Sequence, residues 1–459
     1  MNSANEIATD IVVIGAGLTG LTAAHYLNKK NQKFIILEQS DKTGGVIQSK
    51  CEDGYLYEEG PNTGVVGNTT VVELFEQLSD KCTIELGGNN VKKRYILKNG
   101  KWEALPLGLW SAVTTPLFTF KDKLRLLGEP FRKVGNDPHE NLASFVKRRM
   151  GKSFLDYAID PFIIGVYAGD PNYLIPKYAL PKLYNIEQEC GSLIGGAFKK
   201  GFIKKSEEEK KVNKKVFSCI GGLGELTKAL TASVGAENIR LGAKDIVVNP
   251  SGNAYIITYT DAKGELNTIN CKKVITTIGA YALEKTLPFV EKSQMRKINS
   301  LHYTKVIELA LGFDKWEGRK LDAFGGLIPS SEKRNILGIL NMSSLFENRA
   351  PEGGALVSIF MGGVRRQDLI ALTDNEIKRV VEKECQDLLA LHEFNPDLFK
   401  IIRHNFAIPQ YGVESGERFE TIAQLEAQFK GLFIGGNQRN GIGMADRIKQ
   451  GKELAMEAL

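Results

Sequence analysis

At 459 residues, 42% hydrophobic and 25% charged, the chain is too long for one simple core and has the balance of a globular protein of two or three domains. Six scattered cysteines without C-x-x-C spacing and five histidines without metal spacing argue against zinc ribbons, iron–sulfur clusters and a disulfide framework, and for a reducing compartment. The net charge of +6 is mostly local: residues 199–215 hold eight lysines and three glutamates, with Phe202 the one aromatic up to Lys215, so no nucleic-acid partner is expected, and the stretch reads as a solvated segment or a surface for anionic lipid headgroups.

The N-terminus leads straight into an apolar run, Asp10–Ile14, with no signal peptide recognisable before it. Gly15-Ala16-Gly17-Leu18-Thr19-Gly20 follows, then a helical stretch, a second apolar run, Phe34–Leu37, and Glu38. Strand, glycine turn, helix, strand and acid in this spacing make a dinucleotide site. Gly15 permits the tight turn, Gly17 lets the backbone approach a pyrophosphate, and Gly20 lets helix and strand pack closely. Amide groups at the helix start face the phosphates. Glu38 accepts ribose hydroxyls, and its charge opposes the 2′-phosphate of NADP. His25, inside the first helix, reads as a packing residue. Gly44-Gly45 allow a second close backbone approach.

Farther along come a turn at Glu59-Gly60-Pro61-Asn62 and an amphipathic helix near 69–79. No stretch of about 18 apolar residues occurs, so no membrane span is expected. The nearest approach, Ala104–Phe120, carries two prolines and reads as a lining of core or pocket, with contact to a bilayer surface as the alternative. Residues 110–215 lack clear strands and read as mostly helical. Gly221–Gly224 opens a helix, and Ile239–Asn249 reads as a strand whose Val247 region offers backbone groups to an adenine. Lys273–Ile278 is a buried strand, and 300–365 is rich in strand-like runs. Gly431–Asn437 reads as a strand breaking at Gly435-Gly436, and a helix starting near Gly443-Met444 turns its positive end toward whatever precedes it.

Several segments together resemble the oxygen-dependent protoporphyrinogen and coproporphyrinogen III oxidases, a branch of the amine-oxidase-type FAD flavoproteins. Glu38 followed by Gly44-Gly45 resembles the extension that marks FAD rather than NAD, although relatives often carry Arg where Lys42 or Thr43 stands. Gly165–Pro171 (GVYAGDP), Pro181–Ile194 with Glu187-Gln188, Phe324–Ser331 (FGGLIPSS) and Ile408-Pro409-Gln410-Tyr411 resemble segments of this branch, in its order. The resemblance covers nearly the whole chain. It implies an α/β fold: a Rossmann-type FAD-binding domain from separated segments (1–85, 216–290, 405–459), a β-rich substrate domain (86–109, 291–404) and a mostly helical insertion (110–215) that is expected to approach a membrane.

The resemblance also implies roles. Arg94 matches an arginine that holds a substrate propionate, Phe324 and Leu327 match apolar residues that sandwich the tetrapyrrole, Phe360 stands where another pocket residue is expected, and Gly165 matches a glycine that leaves room for the ring. The flavin's N1–C2=O edge is expected before the Gly443 helix, beside Gly436. The implied reaction is oxidation of protoporphyrinogen IX to protoporphyrin IX, removing six electrons by hydride transfer to the flavin, with oxygen reduced to peroxide and no dedicated acid–base pair. The alternative is the same chemistry on coproporphyrinogen III; more distant are an amine or carotenoid oxidoreductase and a non-catalytic porphyrin-binding flavoprotein. Expected partners are the porphyrinogen, molecular oxygen, a membrane surface contacted peripherally from the cytoplasmic side, a second copy of the chain, and a ferrochelatase receiving the product.

Overall fold

A computed structural model describes residues 6–88, 92–201 and 206–459. The first apolar run lies in the strand Glu6–Ile14, where Ile11–Ile14 are buried. A run apolar on both faces suits a parallel strand covered on both sides. It pairs in parallel with Phe34–Leu37 on one edge and with Leu266–Thr276 on the other, in the middle of a seven-stranded sheet. Leu266–Thr276 takes two partners along its far edge. Its first half joins Ala254–Thr260 and Lys244–Ser251 in an antiparallel meander, and Val274–Thr276 pair in parallel with Leu432–Ile434. One sheet thus draws strands from both ends of the chain and its middle.

Helices Leu18–Lys29, Gly224–Val234 and Met444–Glu457 cover one face, through side chains such as Leu21, Leu230, Ile448 and Leu454. The expected single strand over Ile239–Asn249 is two strands, Ile239–Arg240 and Lys244–Ser251. Between them the backbone turns to bond the loop after Phe34–Leu37: Gly242 N–H donates to Ser40 O (2.8 Å) and Ala243 N–H to Glu38 O (2.9 Å). Those bonds replace two rungs of a ladder, which periodicity alone does not reveal.

A second seven-stranded sheet runs in the order Leu398–His404, Val306–Phe313, Ala355–Gly362, Ile336–Leu340, Gly325–Leu327, Tyr95–Lys98, Lys101–Ala104. All its pairs are antiparallel except Gly325–Leu327 with Tyr95–Lys98. Alternation decides its faces. Ile307, Leu309, Leu311, Ile359 and Met361 pack against helix Asp374–Leu389, which Thr373 and Glu376 start with a capping box. The opposite face looks toward the nucleotide-binding sheet. The hairpin Ser49–Glu52/Tyr55–Glu58 docks there: Tyr55 donates to Asp314, and its ring fills the space beside Gly312.

Between the sheets in sequence, the described residues of 109–211 form short helices joined by loops, with no strand among them, from Leu109–Thr114 to Glu207–Lys211. A buried ionic clamp holds this insertion. Arg149 pairs with Glu129 and, at 3.4 Å, with Glu187; Glu129 also accepts from Ser192 Oγ (2.6 Å) and the amides of Leu193 and Ile194. These bonds hold the Glu129 carboxyl below its usual range despite burial. The Glu-Gln and Ser-Leu-Ile pieces of the Pro181–Ile194 segment therefore serve packing within the insertion.

Candidate active site

The glycine turn and the Glu38 loop meet directly. Gly44 N–H donates to Ala16 O (2.8 Å), and Gly17 and Gly44 form an isolated parallel bridge. Glu38 is buried; its two oxygens accept from the amides of Ala16 (2.6 Å) and Ser40 (2.9 Å). A carboxylate offers about four acceptor sites, so capacity remains for ribose hydroxyls. The helix Leu18–Lys29 begins without a side-chain cap on Gly17, leaving its first amides free for an anion. Thr19 and Leu18 are buried behind the turn.

Two glycines here have different causes. A Cβ on Gly20 would lie 1.9 Å from Gly15 O, so Gly20 is required by the protein's own packing. A Cβ on Gly17 would meet nothing within 4 Å, so the protein itself does not require glycine there. An open space in front of free amides is the cradle a pyrophosphate fills, and it fits a dinucleotide cofactor.

Gly60, Pro61 and Asn62 form a turn against the Gly44-Gly45 loop, with Gly60 backed onto Val46 O. Val247 is half-buried in Lys244–Ser251, just past an irregularity in its pairing between Lys244 and Val247. At the C-terminal end Gly436 donates to Gln450 Oε1 (2.8 Å), and Gly443 caps the helix Met444–Glu457, with Met444 buried. Tyr411 OH donates to Asn437 O (2.8 Å) and Gly441 O (3.1 Å), and Tyr303 OH to Asn437 Oδ1 (2.9 Å). Arg447 is buried beneath, donating to Gly436 O, Arg439 O and Asn440 O; burial lowers its pKa. The 436–443 segment is thus held from behind, with its helix N-terminus facing forward.

The second sheet brings the other residues together in one transverse row. Leu327 stands opposite Gly338, Gly338 opposite Phe360, Phe360 opposite Glu308, and Glu308 opposite Ile402. Directly opposed residues of antiparallel strands share a face, so Leu327 and Phe360 lie on the face turned toward the nucleotide unit. Gly165, in helix Asp160–Tyr167, looks onto Leu327: a Cβ there would approach Leu327 Cδ2 to 2.3 Å. The Arg94 guanidinium lies over the Phe324 ring, 5.0 Å from its centroid. Its neighbour Lys93 is engaged by Asp322 (2.6 Å), whereas no carboxylate pairs with Arg94 among the described residues.

The sequence reading missed a buried polar network at the end of this row. Glu308 is 1% exposed. It accepts a hydrogen bond from Asn62 Nδ2, and its second oxygen lies 3.5 Å from His404 Nε2. Asn62 Nδ2 also donates to Gly60 O (3.1 Å), and Ser358 Oγ donates to Asn62 Oδ1 (2.8 Å). Burial pushes the Glu308 carboxyl up, against the nearby His404 imidazole and the hydrogen bond from Asn62. The signal was present: one acid stands in the otherwise apolar Val306–Phe313 run.

The sequence pattern of the flavin-containing amine oxidoreductases matches residues 18–459. The chain belongs to that family. It is accordingly an oxidoreductase, and FAD is its cofactor. The chain is 28% identical to the mitochondrial protoporphyrinogen oxidase of Nicotiana tabacum, over 98% of this chain and 94% of that one. It is 26% identical to the coproporphyrinogen III oxidase of Bacillus subtilis, over 98% and 97%. The crystal structure of a candidate protoporphyrinogen oxidase from Exiguobacterium superposes with a TM-score of 0.79 at 19% identity, covering 99% of this chain and 98% of that one. Putrescine oxidase superposes with a TM-score of 0.70 at 12% identity, covering 99% of each chain, a likeness of fold alone.

Ala104–Phe120 departs from the core-or-pocket reading. Leu107 is 67% exposed, Trp110 80% and Phe120 76%, while Leu117 is buried. Pro116 ends the short helix Leu109–Thr114, the Lys123 ammonium caps it by donating to Val113 O and Thr115 O, and its Trp110 and Val113 side chains are exposed. The lysine-rich stretch 199–215 falls partly outside the described residues, at 202–205; within the rest, Lys211 pairs with Glu76. No helix among the described residues is long and apolar enough to cross a membrane.

Proposed function

We propose that this chain oxidises a porphyrinogen to the corresponding porphyrin, with protoporphyrinogen IX as its preferred substrate. The observation that carries this reading is Arg94: a guanidinium without an acid partner among the described residues, laid on Phe324, beside the Gly165–Leu327–Phe360 surface. A partly apolar floor with one free guanidinium at its edge suits a flat tetrapyrrole with carboxylates along one side. Relatives named for both protoporphyrinogen and coproporphyrinogen oxidation support the substrate class. The two substrates differ by two propionates. Lys93 is already engaged by Asp322, which favours the substrate with fewer carboxylates.

In this reading the amides of Gly15–Gly20 hold the pyrophosphate, Glu38 the ribose, Gly44, Gly45 and the Gly60-Pro61-Asn62 turn the middle of the cofactor, and Val247 the adenine. Gly436, Gly443 and Met444 border the isoalloxazine. Bound FAD supplies a hydride acceptor. Arg94 then fixes one edge of the tetrapyrrole, and Phe324 and Leu327 hold its faces; the missing Cβ of Gly165 leaves room for the Leu327 side chain rather than for the ring itself. Three two-electron rounds each remove one hydride from a methylene bridge and one proton. Two of the three protons leave pyrrole nitrogens and the third leaves the remaining bridge carbon, so that four bridge C–H and two N–H hydrogens are lost and the porphyrin results. Molecular oxygen is the terminal acceptor, reduced to peroxide. Positioning and exclusion of water are the protein's share.

The test is anaerobic. Protoporphyrinogen IX should bleach the flavin absorbance and generate porphyrin fluorescence, and in competition should react faster than coproporphyrinogen III. Flavin that stays oxidised with both porphyrinogens would overturn the reading; faster turnover of coproporphyrinogen would transfer it to the second substrate.

We further propose that the exposed apolar side chains of the insertion, Trp110, Val113, Phe120, Leu127 and Phe131, rest on a bilayer surface from which a lipophilic substrate is collected.

A further inference from the structure

The Asn62 side chain sits where the two halves of the molecule meet. It belongs to a turn of the nucleotide-binding unit, yet its partners, Glu308 and Ser358, come from neighbouring strands of the second sheet. Both N–H donors of its amide are committed, Nδ2 to Glu308 and Gly60 O, and Oδ1 accepts from Ser358. The carboxylate and hydroxyl therefore decide which way round the amide stands. Glu308 is in turn the register partner of Phe360 and lies in the same row as Leu327, so the network ends the surface assigned to the tetrapyrrole. A carboxylate buried this deeply is costly without bonded partners. Replacement by an apolar residue would fill the same space, so the acid needs a reason beyond packing.

We propose that Glu308 is a positioning residue for the redox reaction: backed by His404, it fixes the Asn62 amide at the boundary between cofactor and substrate. The proposal rests on the porphyrinogen-oxidase reading for its substrate, but not for its cofactor. Glu308 acts through Asn62 and takes no proton from the substrate.

The experiment compares holoenzyme carrying Glu308→Leu, Glu308→Gln, Asn62→Ala and the double variant Glu308→Leu/Asn62→Ala. Glu308→Leu should lower kcat with protoporphyrinogen by at least about ten-fold, as a misplaced group at a reacting centre does, with KM within about two-fold. Glu308→Gln keeps an acceptor for Asn62 and should recover most of that loss. In the Asn62→Ala background, Glu308→Leu should add little. Equal loss in Glu308→Gln and Glu308→Leu, or a full additional loss on top of Asn62→Ala, would overturn the proposal. A second readout needs no porphyrinogen. The visible flavin spectrum of Glu308→Leu should match that of Asn62→Ala and differ from the unaltered protein, while Glu308→Gln should match the unaltered protein. Identical spectra in all four would overturn the proposal even if the natural substrate is not a porphyrinogen. If Glu308→Leu does not fold, the Glu308→Gln activity and spectrum decide: a loss of kcat and a spectrum like those of Asn62→Ala overturn it, and near-unaltered values support it.

Discussion

Arg94 and Glu58 carry charges that the fold treats in opposite ways. Arg94 has no acid partner among the described residues and leans its guanidinium on Phe324, an arrangement that stays ready for an incoming carboxylate. A hydrogen-bonded charge pair of this kind contributes about 1.5–3 kcal/mol. Arg94→Ala should therefore raise KM for the porphyrinogen by roughly ten-fold or more while leaving the rate of flavin reduction at saturation nearly intact; stopped-flow titration separates the two, and an unchanged KM with collapsed turnover would remove Arg94 from substrate binding. Glu58 is buried between Ser49, the amide of Leu223 and, at 3.6 Å, Arg349, and burial pushes its carboxyl up to about 7. A carboxyl whose folded pKa lies above its unfolded value binds its proton more tightly in the native state, so stability falls as pH rises from about 4.5 toward 7, by about 3 kcal/mol in all. Glu58→Gln should flatten that part of the Tm–pH profile; an unchanged slope would assign the effect elsewhere. At this scale the sequence marks residue types well and partnerships poorly. Arg94 stood out through its neighbours, whereas the bond from Asn62 to Glu308 joins positions 246 residues apart, and no local pattern encodes it.

Elements show the reverse balance. Strand, turn and helix at the N-terminus follow from residues close in sequence, because close packing and φ preferences act locally. The two glycines of the turn offer a discriminating pair of variants. Gly20→Ala drives a methyl into Gly15 O and should destabilise the protein by about 3 kcal/mol with or without cofactor. Gly17→Ala meets no protein atom, so the Tm of the cofactor-free protein should hold while FAD affinity falls at least about ten-fold. Calorimetry of both forms checks this, and equal destabilisation of the cofactor-free proteins would contradict it. The strands between 239 and 276 were harder to read. Leu266–Thr276 changes partners halfway along, and the turn at Gly242 bonds Ser40, so their limits depend on segments more than about 150 residues away.

At the scale of the whole molecule, apolar side chains cluster on the outside of the insertion. Phe131 is 91% exposed and Trp110 80%, on the short helices Glu129–Phe131 and Leu109–Thr114 that flank Phe120–Leu127. Transfer of one such ring out of water contributes about 2 kcal/mol. Trp110→Glu and Phe131→Glu should each reduce partition onto anionic liposomes by about ten-fold in flotation assays, without altering turnover of detergent-solubilised substrate; undiminished flotation would send this surface to another partner.

The sequence by itself determined the dinucleotide turn, the acid that follows it, the helical character of the insertion and the family, because each rests on short-range spacing or on motifs kept in order. The tertiary structure alone decided that Leu327, Phe360 and Glu308 form one row, that Asn62 is gripped from the opposite sheet, and that the 104–120 segment faces outward. Those outcomes depend on strand register and on which surfaces remain uncovered once two sheets have docked, and both are properties of contacts between distant segments.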